Sequence, residues 1–543
     1  MTKRILQWWQ SGIIYHIYPR SFQDGNGDGI GDLTGIISRL DYLSHTLGID
    51  ALWLSPIYPS PMADFGYDIA DYRDVDPIFG ALDTFDLLVR EAHQRNLKVI
   101  IDYVPNHTSD QHKWFGESRS SRTAAKRNWY VWADPQEDGT PPNNWLSVFG
   151  GPAWSWDAAT EQYYLHSFLS SMPDLNWRNP AVQHAMFEVV RFWLDRGVDG
   201  LRIDTAHYIM KDHAMRDNPS NQIVHTTFHK SFGAYDTQLH LYDKGDADVH
   251  NVFRDLRHLL DSYGQEQPRI ALGEIHIFDV PTWASYYGEQ LDELHMPCNF
   301  GLLNTPWQAQ AIRQAVDTLE STIPACAWPN YVLGNHDEHR IATRIGAAQA
   351  RVGMLLLLTL RGTPTLYYGD ELGMENVPIA PEHERDPWGI HMPGLGLGRD
   401  PERTPMQWEA SPHAGFCHAE VAPWLPVAAN ATTMNVATQL EDPQSFLSLT
   451  RKLIDLRRSS LALSGGSYRA LESTSTNCFV YMRETADERW IVALNTGTQD
   501  QILNVTCAGD ASIILSTYLD RQEHVDLATL ALRGNEGGLI QLT

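Results

Sequence analysis

The sequence predicts an α/β protein: a (β/α)8 TIM barrel, a lobe inserted after the third strand, and an antiparallel β domain at the C-terminus. Three observations predict it. Eight short apolar runs alternate with amphipathic helical stretches, one gap between runs is far too long for a single helix, and the helical pattern stops after about Ser459. Near-continuous apolar strands alternating with helices make a parallel sheet covered on its outer face, and eight is the number that closes a barrel. A doubly wound open sheet competes, but no GxGxxG follows the first run.

The runs lie near Ile14, Leu52, Ile100, Leu201, Leu272, Met296, Val332 and Leu366. Between them, "TFDLLVREAHQRNL" from Thr84 and "AVQHAMFEVVRFWLDRG" from Ala181 carry helical periodicity. The second places Val182, Met186, Val189, Phe192 and Trp193 on one face. The long gap holds "DGTPPNNWLSVFGGPAWSW", a composition typical of a functional lobe. Beyond Ser459, "CFVYMRE", "RWIVALN" and "SIILSTY" read as antiparallel strands. The expected division is a barrel over 1–104 and 174–460, an inserted domain over 105–173 and a C-terminal β-sandwich over 461–543.

Composition narrows the partners. The chain has 543 residues, 43% hydrophobic and 20% charged, as in soluble globular proteins. Its 41 basic and 67 acidic residues give a net charge of -26, which argues against nucleic acid. Five scattered cysteines without CxxC spacing read as free thiols in a reducing compartment. No h-region follows the basic N-terminus, and "MLLLLTL" from Met354 is too short to cross a bilayer. The expectation is a cytoplasmic monomer or homodimer with a small-molecule substrate, no membrane and no nucleic acid.

Reactive groups of a barrel sit where strands run into loops. Asp204 in "GLRIDTA", Glu274 in "LGEIH" and Asp337 in "GNHDEH" all hold that position. Arg202 lies two residues before Asp204, so both side chains point the same way, and the guanidinium favours an ionised carboxylate. His107 and His336 add polar groups at the same rim. Singly, each acid reads as a helix cap or turn residue, and Arg202 with Asp204 as a structural ion pair. Together they would strand charge in one mouth without structural return. Two chemistries remain: a carboxylate pair cleaving a glycosidic bond, or a divalent metal held for hydrolysis. The absence of His-x-His at a strand end disfavours the metal, and aromatics of the insert (Trp145, Phe149, Trp154, Trp156, Phe168) suit sugar faces, with core packing as the plainer reading of each.

"DYVPNHTS", "GLRIDTA", "GEIH" and "GNHDEH" resemble the four ordered signature regions of the α-amylase superfamily (glycoside hydrolase family 13). "QWWQSGIIYHIYPRSFQDGNGDGIGDLTGI" resembles the opening of its α-glucosidase and oligo-1,6-glucosidase branch, and "GYDIADY", "PDLNW" and "GRDPERTPMQW" extend the likeness from about Gln7 to Trp408. The resemblance implies a retaining, exo-acting α-glucosidase. Asp204 would be the nucleophile, Glu274 the acid and then the base, and Asp337 a partner of the sugar hydroxyls. Arg202 would orient Asp204, while His107 and His336 would bind the terminal glucose. Asp64 and Tyr67 would grip and stack on that sugar, and Arg399, or less so Arg403, would pair with Asp64 and close the pocket.

The mechanism expected is double displacement, with carboxyl groups about 5 to 5.5 Å apart and Glu274 kept protonated by the carboxylates around it. Thr205, next to the nucleophile, implies α-1,4 over α-1,6 preference, since in this family Val there accompanies α-1,6 cleavage. "AHYIMKDHAMRDNP" and "GEIHIFD" depart from common relatives and leave the acceptor open, so a glucosyltransferase or a sucrose or trehalose isomerase is the rival within the class. A transporter heavy-chain ectodomain is the rival outside it. No cofactor is expected for catalysis. Asp24, Asn26, Asp28, the Ile30 carbonyl and Asp32 follow the first nine positions of a calcium-loop spacing, but position twelve is Gly35. The family branch implies a structural Ca²⁺ or Mg²⁺ there, a clip rather than a sensor; a metal-free turn is the alternative.

Overall fold

The computed structural model describes residues 6–222, 230–264 and 266–543; the first five residues, which belong to the stretch read for a leader, lie outside them. Eight parallel strands close a barrel: β1 Ile14–Ile17, β2 Ala51–Leu54, β3 Lys98–Tyr103, β4 Gly200–Ile203, β5 Ile270–Glu274, β6 Met296–Asn299, β7 Asn330–Val332 and β8 Thr363–Tyr367. Each pairs with its neighbours in sequence, and β8 closes on β1 with Ile14 opposite Thr365. All eight expected runs form these strands. They are buried almost throughout because helices cover one face and the lumen is filled on the other.

Alternation along the strands sorts the side chains. Ile14, Ala51, Trp53, Ile100, Ile270, Leu272, Met296, Cys298 and Val332 form one apolar plug. Tyr15, Leu52, Leu54, Ile101, Leu201 and Ile203 join the core shared with the helices. Two residues beyond plug positions, toward the strands' C-terminal ends, stand His16, Asp102 and Glu274. The plug therefore ends in a layer of polar groups.

Helix Pro180–Asp195 starts one residue before the expected stretch, with Asn179 accepting the Ala181 N–H and Pro180 in the first turn. It buries Val182, Met186, Val189 and Trp193, but Val190 and Leu194 complete the face and Phe192 stays half-buried. The long gap carries a three-stranded antiparallel sheet, Trp132–Ala133 and Trp154–Asp157 flanking Gln162–Leu165. At the C-terminus a six-stranded antiparallel sheet and a two-stranded one share an apolar core around Val480, Ile491, Leu503 and Leu530. The other face of the larger sheet, through Tyr481, Val492 and Leu539, joins the main core.

Candidate active site

Arg202 is the hub of the polar layer. Its Nη1 donates to Asp102 Oδ1 at 2.7 Å and Asp204 Oδ1 at 2.9 Å, and its Nη2 lies 2.7 Å from Glu274 Oε2. The guanidinium also sits 5.1 Å from the Trp53 ring centroid. The expected Arg202–Asp204 pair is present, and it is half of a larger cluster. Asp102, which faces Arg202 across the β3–β4 register, was not foreseen.

Thr205 adopts left-handed backbone angles, φ 39° and ψ 44°, a costly geometry for a β-branched residue. In this bend its N–H donates to Glu274 Oε2 at 2.9 Å and its hydroxyl to Asp204 Oδ2 at 3.1 Å. Glu274 Oε1 is 2.8 Å from His276 Nε2, another partner the sequence did not reveal.

The proton inventory differs from expectation. Burial would raise the Glu274 pKa, but Arg202 at one oxygen and His276 at the other hold it well below the usual carboxylate range. Asp204 moves the opposite way: burial, the Glu274 charge, Asp102 and a hydrogen bond with Glu274 outweigh Arg202 and raise it. The expectation of a raised Glu274 is thus corrected. The neighbouring carboxylates do act, but their effect is felt on Asp204, while both donors favour the ionised form of Glu274.

Asp337 lies across the mouth. Its Oδ1 accepts from Arg399 Nη1 at 3.1 Å and Arg403 Nη2 at 3.0 Å, and its Oδ2 is 3.3 Å from His336 Nε2. Burial raises its pKa, but His336 and both arginines bring it well below the carboxylate range. Arg399 Nη2 pairs with Asp64 Oδ1 at 2.5 Å, the pairing expected of it, while Arg403 turns to the His336 carbonyl and Asp337. A third acid, Asp386, takes Arg399 Nε and Nη2 and was also unforeseen.

Tyr67 and His336 lie parallel, ring centroids 5.4 Å apart, and the Tyr67 hydroxyl bonds His336 Nε2 at 2.7 Å and Asp102 Oδ2 at 3.1 Å. His107 Nε2 faces the Tyr67 carbonyl at 3.2 Å. Burial lowers His336 to about 3 and His107 to about 4, so both imidazoles are neutral hydrogen-bonding groups at ordinary pH. Of the insert's aromatics, Phe168 packs on His107 and Tyr208, and Phe149 on Phe168 and Trp388 beside Arg399. Trp145 and Trp154 form a separate core with Leu165, and Trp156 projects outward beside Tyr163. Trp145 and Trp154 follow the plainer reading of core packing, because the small sheet needs its own core, while Trp156 stands at the surface.

In the 24–32 loop, Asp24 accepts the N–H groups of Asn26, Gly27 and Gly29, and Asp28 that of Ile30. Asp32 accepts those of Gly25 and Asn26 and caps helix Leu33–Ser38 through Gly35. This all-oxygen donor set suits a hard cation in kind. As arranged it is spent on backbone amides, and no group of three His, Cys, Asp or Glu side chains among the described residues is placed to hold a metal.

The α-amylase catalytic-domain family matches residues 16–466. A probable α-glucosidase of Rhizobium meliloti (strain 1021) is 42% identical over 90% of this chain and 89% of its own. The human amino acid transporter heavy chain SLC3A1 is 36% identical over 99% of this chain and 78% of its own. The crystal structure of an α-glucosyl transfer enzyme, XgtA, superposes with a TM-score of 0.93 at 43% identity, covering 99% of this chain and all of that one. No helix among the described residues is long and apolar enough to cross a membrane. Match and barrel together show that the chain belongs to the α-amylase family of glycoside hydrolases, in its α-glucosidase branch.

Proposed function

We propose that this chain is a retaining, exo-acting α-glucosidase that releases α-glucose from the non-reducing end of short α-glucosides. The observation that carries the reading is the mounting of Asp204 and Glu274 on the two terminal nitrogens of Arg202, with Asp337 across the same mouth. Asp204 attacks the anomeric carbon while Glu274 protonates the departing glycosidic oxygen, so a carbon–oxygen bond to Asp204 replaces the bond to the leaving sugar. Water then attacks that carbon, its proton passes to Glu274, and Asp204 is released. For the first step Asp204 must be ionised and Glu274 must carry a proton, and Arg202, bonded to both carboxyl groups, stays with the pair throughout.

Tyr67, His107, His336, Asp337 and the Arg399–Asp64 pair are assigned to the terminal glucose. Arg399, bonded at once to Asp64, Asp337 and Asp386, walls the pocket, which supports exo action. The Thr205 hydroxyl has one hydrogen, and it goes to Asp204, so its part in α-1,4 preference is as an acceptor for a hydroxyl of the leaving sugar. The resident ion of the 24–32 loop, Ca²⁺ or Mg²⁺, is proposed as a structural clip outside the chemistry.

Transfer of glucose to another sugar or alcohol is a second reading of the same site, supported by the likeness to an α-glucosyl transfer enzyme. The transporter-like reading is disfavoured because all three carboxylates are present, Asp204 and Glu274 on Arg202 and Asp337 on Arg399 and Arg403. Incubation with maltose, isomaltose, sucrose and trehalose in turn, with every product identified and the first-formed anomer read by NMR, tests these readings. α-Glucose from maltose, faster than from isomaltose, is expected. β-Glucose would overturn retention, faster isomaltose cleavage the linkage preference, and isomerised disaccharides from sucrose or trehalose the hydrolase reading.

A further inference from the structure

The two oxygens of Glu274 are not equivalent. Oε2 takes the Thr205 N–H at 2.9 Å and faces Arg202 Nη2 at 2.7 Å. An oxygen between two such donors, one of them a full cation, is a poor place for a proton. Acid catalysis therefore falls to Oε1, whose partner is His276 Nε2 at 2.8 Å. The His276 ring is stacked on Phe300, centroids 4.6 Å apart and planes 24° from parallel, so its orientation is fixed from β6 as well as β5. Its side chain is 39% exposed against 6% for Glu274, which places the imidazole between the buried acid and the open mouth. Resting on the assignment of Glu274 as acid and base, we propose that His276 is its positioning residue. It donates to Oε1 of ionised Glu274, occupies the direction from which the glycosidic oxygen must approach, and yields that place when a glucoside binds.

The geometry has a consequence for selectivity. Whatever sits at Oε1 in the complex is attached to the leaving group, so a displaced His276 lies against the aglycone and is the first side chain that an acceptor hydroxyl meets. The surrounding charges agree with this role. His207, which follows β4, has its ring 6.2 Å from that of His276 and its Nε2 buried with no hydrogen-bond partner among the described residues. Lys244 lies beyond it against Tyr208 and Tyr235. Arg202 and Asp337 bear on Glu274, the carboxyl that His276 holds at Oε1.

Two variants separate donation from mere occupancy: H276F keeps the stack on Phe300 and loses the donor, while H276Q keeps an N–H. Removing a donor to the ionised acid raises the pH at which that acid loses its proton. For H276F the alkaline limb of kcat/KM on maltose should move up by roughly half to one pH unit. The kcat profile should stay in place, because kcat/KM reports the free enzyme and kcat the complex from which His276 has been displaced. H276Q should keep the wild-type limb. Superimposable kcat/KM profiles for H276F and wild type, or equal shifts in both variants, would overturn the proposal. E274Q is the control: if it turns over maltose normally, the assignment of Glu274 itself fails, whereas an inactive E274Q with an unshifted H276F removes only the role of His276.

Discussion

Arg202 binds Asp204 and Glu274 through different nitrogens of one guanidinium, Nη1 at 2.9 Å and Nη2 at 2.7 Å, while Nη1 also takes Asp102 at 2.7 Å. Three carboxylates are thus tied to one cation in a nearly dry layer. A planar fork can do this and an ammonium cannot, since a point charge has no second nitrogen to span the pair. R202K should therefore lower kcat on maltose about 10²- to 10³-fold. It should also cost about 3–5 kcal/mol of stability, because carboxylates stay buried with a poorer partner. Steady-state kinetics and urea unfolding read the two effects. Unchanged kcat with a lost midpoint would confine Arg202 to a structural role, and no change in either would contradict its place at the centre.

Acid lability follows from another set of groups. His112 caps helix Lys113–Arg119, its Nδ1 accepting the Trp114 N–H at 3.1 Å, which requires the neutral ring. Burial lowers its pKa to about 4, as for His107, and lowers His336 to about 3. Each is below its unfolded value of 6.5, so the unfolded chain takes up the proton first. The stabilising contribution is complete above pH 6.5 and is lost as pH falls toward the folded value. The slope is at most about 1.4 kcal/mol per pH unit for each histidine. H112N keeps a capping acceptor and removes the titration. Urea midpoints measured from pH 7.5 to 4.5 should fall less steeply for H112N than for wild type. Parallel curves would mean that His112 titrates alike in both states.

The barrel and the inward pair Arg202–Asp204 were legible because both follow from period-two alternation and local runs, which sequence carries directly. The missed partners share a different origin. Asp102 reaches Arg202 only because β3 and β4 lie side by side, although 100 residues separate the two. Asp386 meets Arg399 across a loop whose path no periodicity specifies. His276 was visible in "GEIH", but its contact depends on how the chain turns after Glu274. The direction of the Glu274 shift failed for a related reason: like charges in the sequence suggested a raised value, and Arg202 from a neighbouring strand with His276 from the turn two residues on reversed it. For Trp145 and Trp154 the plainer reading of core packing holds; composition cannot tell a lobe's own core from its sugar-facing wall.

The acidic loop yields the last expectation. Asp24 and Asp32 already gather five N–H groups between them from 25–29 and 35, and Asp28 stands partly in solvent with an N–H on one oxygen and the Asn26 amide on the other. Carboxylate oxygens have further lone pairs, so a small inward turn of Asn26 and Asp28 could add a cation without breaking the amide bonds. Gly29 pins the loop from the other side: it has φ 86°, and a Cβ there would lie 2.2 Å from the Ala422 carbonyl oxygen. A divalent ion bound only by the folded loop would stabilise by about 2.7 kcal/mol at a hundredfold excess over its Kd. Chelation should then lower the Tm, calcium or magnesium should restore it, and D28A should show the same Tm with and without the ion. Identical Tm values for chelated and ion-loaded wild type would assign the loop to its backbone hydrogen bonds alone, with activity on maltose unaffected in either case.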